Sequence, residues 1–105
     1  MRKIKVKPFV EIGCHKYNLF LDKEQSDHSW DGTTLHDKEK ISINPDQPKV
    51  RLTTCYLHEV VHLISRVSAL ELPEDTVWRL SEGLGEVFVR NLEVELDFSE
   101  VPNAK

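Results

Sequence analysis

The chain has 105 residues, of which 39% are hydrophobic and 30% charged, a balance that suits one domain with a single core. Its formal net charge of −4 weighs against a nucleic-acid partner, because such modules carry a basic excess. Two cysteines are too few for a disulfide scaffold, and the absence of a signal-like or membrane-length apolar run predicts a cytoplasmic protein with no membrane partner.

In chain order, Arg2 is followed by Lys3, Lys5 and Lys7, lysines that alternate with apolar residues and read as the solvated face of an edge strand. Ile4, Val6, Val10 and Ile12 continue the alternation across Pro8, giving one broken strand or two short ones. A turn at residues 13–16 leads to Tyr17, Leu19 and Leu21, a second strand that closes a hairpin. His15 has the context of a surface residue. Residues 22–40 are polar and contain Asp31-Gly32, which predicts a long loop with a short strand near 33–35. His28, Trp30 and His36 fall there; Trp30 either lids a pocket or caps the core, and the burial habit of large aromatics favours the core. Residues 41–44 form a strand, ended by Pro45 and Pro48. Asp46 is the expected N-cap, and Pro48 fits the first turn of a helix.

The first helix is expected over residues 49–67 and the second over 73–91, joined through Pro73, with Glu74 and Asp75 in the opening turn of the second. Residues 92–105 form a tail in which Val94, Leu96 and Phe98 alternate; it adds a strand or frays. The fold class is α+β: a small N-terminal antiparallel sheet of about three or four strands over residues 1–48, packed on two helices.

The centre of the sequence is Leu57-His58-Glu59-Val60-Val61-His62-Leu63, an H-E-x-x-H motif inside an apolar run. Two histidines four residues apart lie on one face of a helix, about 40° apart in projection. Their imidazoles can bind one metal ion, and Glu59 lies within reach of a water held there. This is the zinc-hydrolase arrangement, two histidine ligands and a carboxylate base. The surrounding Leu57, Val60, Val61, Leu63 and Ile64 predict a buried helix. Burying an unpartnered histidine pair would cost about 1–3 kcal/mol for each unsatisfied nitrogen.

No histidine follows His62, so a third ligand must be a carboxylate: Glu71, Glu74, Asp75 or Glu82. On the second helix Val77, Leu80, Leu84, Val87, Phe88 and Asn91 share a stripe that reads as a core face. Trp78, Glu82, Gly85, Glu86 and Val89 form a second stripe. Gly83 and Gly85 each cost about 1 kcal/mol relative to alanine, and close approach of the first helix would compensate. That arrangement turns Glu82 toward the histidines and lets Glu86 accept a hydrogen bond from a ligand histidine.

H-E-x-x-H followed some twenty residues later by a glutamate on a second helix resembles the gluzincins, the thermolysin-like zinc peptidases. The likeness extends to very small gluzincin-like proteins of bacteriophage and prophage genomes, through residues 32–43, 57–64 and 80–91. The resemblance implies Zn²⁺ bound by His58, His62 and Glu82, Glu59 as general base, and Glu86 as an acidic residue supporting a ligand. It also implies that strand 41–44 borders the cleft and pairs with an extended peptide. Ser81 stands where the family often has asparagine before the ligand glutamate, and neither His nor Tyr follows His62. An oxyanion donor must therefore come from upstream, with His36, Tyr56 and His28 as candidates.

The expected activity is hydrolysis of peptide or protein substrates by a zinc-activated water. The rival reading is a zinc-binding peptidase-like scaffold without activity, an interaction or structural protein of phage origin with a phage or host protein as partner. A fourth protein ligand at Cys55, three residues before His58, would close the site and favour that rival. A metal-free helical domain is the third reading.

Overall fold

The computed structural model describes residues 2–23 and 32–104, and the expectations for His28 and Trp30 lie outside these. The fold is α+β. Strands β1 (Arg2–Lys5), β2 (Phe9–Ile12), β3 (His15–Leu21), β4 (Gly32–Leu35) and β5 (Lys40–Ile43) precede helices α1 (Lys49–Val67) and α2 (Glu74–Glu86). A π-helical turn, Val87–Asn91, extends α2, and β6 (Val94–Asp97) follows.

The sheet is mixed, not purely antiparallel as expected. Its order is β2-β3-β5-β4, with β2/β3 and β4/β5 antiparallel and β3/β5 parallel. β5 forms a hairpin with β4 yet slots in beside β3, so it is an interior strand. Ile41, Ser42 and Ile43 are accordingly all buried, as a strand covered on both faces should be. This corrects the expectation that residues 41–44 border the cleft: β4 is the outermost strand on that side. The tail does add a strand, since β6 pairs in parallel with β1. Phe98 and Val101 then enter the core, and the backbone of 102–104 bonds to Leu21.

The core sits between the sheet and α1. Tyr17, Leu19, Ile41, Ile43, Cys55 and Leu63 fill it, with Leu19, Ile43 and Leu63 fully buried. β3 alternates as anticipated, Tyr17 and Leu19 inward and Lys16 and Asn18 outward. α1 begins after Pro48, but its cap differs from expectation. The Asn44 side chain, not Asp46, organises the turn, accepting from the Asp46 amide at 2.9 Å.

α2 runs antiparallel to α1 and presents Val77, Ser81 and Gly85 to it. A Cβ on Gly85 would lie 2.6 Å from Thr54 Oγ1, so the backbones approach closely there. A Cβ on Gly83 would meet nothing within 4 Å, so close approach explains only one of the two glycines. The face expected to be core is mostly bare: Val77 is buried, but Leu80, Leu84 and Val87 are 47%, 40% and 45% exposed. Helix α2 is seated on its small residues, which admit a nearer α1 than a leucine stripe would.

Candidate metal centre

Helix α1 supplies His58, Glu59 and His62 from consecutive turns, the first two buried and His62 partly so. His58 and Glu59 are only 4% and 3% exposed. The two imidazoles stand nearly perpendicular, with ring centroids 4.7 Å apart, and their Nε2 atoms are 3.1 Å apart. The third group at this point is Glu74, the first residue of α2. Its Oε1 lies 2.8 Å from His58 Nε2 and its Oε2 3.0 Å from His62 Nε2. One face of Trp78, a turn further along α2, is contacted edge-on by His58 at 5.1 Å between centroids. Arg51 lies 5.1 Å from the Trp78 ring.

Glu82 is not at this site. It is exposed on α2 and makes no hydrogen bond or ion pair among the described residues. The reason is height as well as angle. Glu82 lies two turns beyond Glu74, about 12 Å along the helix axis and about 80° round it. In an antiparallel pair with Gly85 beside Thr54, the carboxylate level with His58 and His62 is the one at the start of α2. Glu86 is likewise exposed and bonds neither histidine. Among the candidate carboxylates, Glu74 alone joins the histidines in a group able to hold a metal ion.

The donor set fits zinc. Two imidazole nitrogens and a carboxylate are ligands zinc takes, and ligands about 2.0–2.1 Å from a tetrahedral ion are about 3.3–3.4 Å from one another. The observed separations of 2.8–3.1 Å need only a small outward movement. Cys55 does not contribute. It is buried in the core, with its thiol 3.4 Å from Gln47 Oε1.

Glu59 points from α1 toward β4. Thr34 Oγ1 donates a hydrogen bond to its Oε1. Gly32 makes room for the other oxygen, since a Cβ there would lie 2.9 Å from Oε2. Burial raises the Glu59 carboxyl to about 7; the Thr34 hydrogen bond opposes that shift, and the charge of Glu74 adds to it. A carboxyl in that range can both accept and return a proton near neutrality. Burial and then His62 lower the His58 imidazole, against the pull of Glu74.

The site opens into a cleft of about 250 Å³ bordered by Gly32, Thr33 and Thr34 of β4 and by His36. His36 follows β4, and its Nδ1 is 2.9 Å from the Tyr17 hydroxyl, which directs Nε2 away from that phenol. Burial and the positive charge of Arg66 lower its pKa. His36 is thus the expected oxyanion candidate that lines the cleft. Tyr56 does not: it packs edge-on against Phe98, 5.7 Å between centroids, toward the core. His28 lies outside the described residues.

Glu74 was one of four carboxylates open from sequence, and its place after Pro73, at a helix start, was the one available signal. Gly32 and Thr34 carried no chemical signature of their own. Comparison with protein-family models, curated proteins and solved structures gives no match.

Proposed function

We propose that this protein is a zinc-dependent peptidase in which His58, His62 and Glu74 hold the ion and Glu59 is the general base. The observation that carries this reading is the convergence of His58 Nε2, His62 Nε2 and both Glu74 oxygens within 3.1 Å, beside a buried carboxyl raised to about 7. Zinc at such a site would acidify a bound water and polarise a carbonyl. The remaining work falls to side chains of this chain. Glu59, oriented by the Thr34 hydroxyl at Oε1, takes the proton of the attacking water at Oε2 and delivers it to the departing amine. β4, at the edge of the sheet, offers backbone groups to an extended peptide. His36 supplies the donor for the developing oxyanion, with Tyr17 holding its ring. Losing such a donor costs 10²–10³-fold in typical acyl-transfer enzymes.

The test has two arms. Purified protein should bind zinc one to one and cleave unfolded protein or peptide mixtures. Glu59→Gln should retain the zinc and lose the cleavage. Zinc binding without cleavage in the wild-type chain would favour the rival reading, a scaffold for a phage or host protein. Normal cleavage by Glu59→Gln would remove Glu59 from the mechanism.

A further inference from the structure

The cleft continues past the site just described. A second cavity, also about 250 Å³, shares His36 and His62 with the first and is walled further on by Ser65, Arg66, Ala69 and Glu71. Arg66 is one turn beyond His62 on α1. It is exposed and, among the described residues, no carboxylate lies within ion-pair distance of it. A cation in the last turn of a helix complements the carbonyl ends, but that role does not require the side chain to wall a cavity adjoining a catalytic cleft. The positive charge of Arg66 is felt by His36, which lines both cavities. Glu71 faces the same cavity without pairing with Arg66.

Resting on the peptidase reading, we infer that this second cavity is a substrate subsite in which Arg66 binds a carboxylate, so that the preferred substrates are peptides carrying a negative group next to the scissile bond. A guanidinium presents two parallel donors matched to a carboxylate, and charge-assisted pairs of this kind are about twice as strong as neutral hydrogen bonds. The carboxylate has two sources, the C-terminus of a short peptide or an aspartate or glutamate side chain. Glu71 limits the preference, because its own charge repels the incoming anion.

Three N-acetylated peptides of one core sequence separate the possibilities: one ending in a free carboxylate, one in a carboxamide, and one in a carboxamide preceded by glutamate. The zinc-loaded protein should cleave at least one of the two anionic peptides with kcat/KM about tenfold or more above the neutral one. The arm that wins identifies the source. Arg66→Met should bring that ratio toward one, Arg66→Lys should keep part of it, and Glu71→Gln should widen it. Each ratio compares two substrates on one variant, so partial unfolding cancels. Equal rates on charged and neutral peptides, or a ratio unmoved by Arg66→Met, would overturn the subsite. If the wild-type protein cleaves none of them, the peptidase reading fails, and calorimetric titration of the same peptides into zinc-loaded Glu59→Gln protein decides the subsite by itself. Tighter binding of an anionic peptide, lost in the Glu59→Gln, Arg66→Met double variant, sustains it. Equal or absent binding rejects it.

Discussion

The two ends of the α1–α2 pair are built on opposite principles. At one end Gly85 lies against Thr54, with no room for a Cβ between the helices, and Ser81, one turn back on the same face, is fully buried. At the other end the same two helices bring together two imidazoles and a carboxylate, with Glu59 buried beside them. The first end resembles any well-packed helical interface. The second gathers groups that repel, desolvate or go unsatisfied unless a proton or a cation joins them. The close-packed end therefore sets the register, and the polar end uses it. Substitutions should separate accordingly: changes at the polar end should act on metal binding and pH response, and changes at the packed end on stability.

The largest effect is expected at Glu74. Glu74→Ala should weaken zinc affinity by about a hundredfold or more, since even groups that only support metal ligands are worth about 10–100-fold. Glu82→Ala, exposed and away from the histidines, should change it less than twofold, roughly the noise of a chelator competition titration. The opposite ranking would mean that the helices meet in another register, and the contrast between their ends would break.

That substitution pair also marks where sequence reasoning stopped. The start of α1 at Lys49 was legible, because a helical apolar run bordered by Pro48 has one way to begin. The α+β class followed from alternation at residues 17–21 and helical spacing after 49. A helical projection, however, reports the angle of Glu82 and says nothing of its height relative to His58. Height depends on how Gly85 meets Thr54, a contact across 31 positions. The stripe through Leu80, Leu84 and Val87 misled for the same reason, since a hydrophobic face does not reveal that small residues will win the closer approach. Likewise, β5 shares a hairpin with β4 but lies parallel to β3. Nothing local distinguishes an inner strand from an outer one in a run as short as Ile41-Ser42-Ile43.

The next effect is the pH response of the metal-free protein. Glu59 is raised from an ordinary 4.5 to about 7 in the folded state, so the folded protein holds this proton more tightly than the unfolded chain. Above pH 7 the native carboxylate is charged and buried, and the penalty is complete, up to about 3 kcal/mol. As pH falls from 7 toward 4.5 the folded state takes up the proton and the penalty disappears. Glu59→Gln should thus stabilise the metal-free protein by about 1–3 kcal/mol at pH 8 and hardly at all at pH 4.5. Urea midpoints at the two values measure it. A gain that did not depend on pH would attribute the effect to packing instead of charge.

The smallest effects come from the packed end, and they test the register most directly. Gly85→Ala places a methyl group 2.6 Å from Thr54 Oγ1. That hydroxyl already donates to the Val50 carbonyl at 3.1 Å, so it cannot turn aside without losing its bond. The helices must part, at about 1–3 kcal/mol. Gly83→Ala adds the same methyl group two residues earlier, into open space, and gains about 0.5–1 kcal/mol of helix propensity and reduced unfolded-chain entropy. For a chain of this size the two melting temperatures should move apart by roughly 6–16 °C in opposite directions, while zinc affinity of Gly83→Ala stays at the wild-type value. Chemistry, helix and position are otherwise matched, so propensity alone would move both the same way. A shared sign would mean that Gly85 is not at the closest approach of the two helices, and the height argument that brings Glu74 to the histidines would lose its anchor.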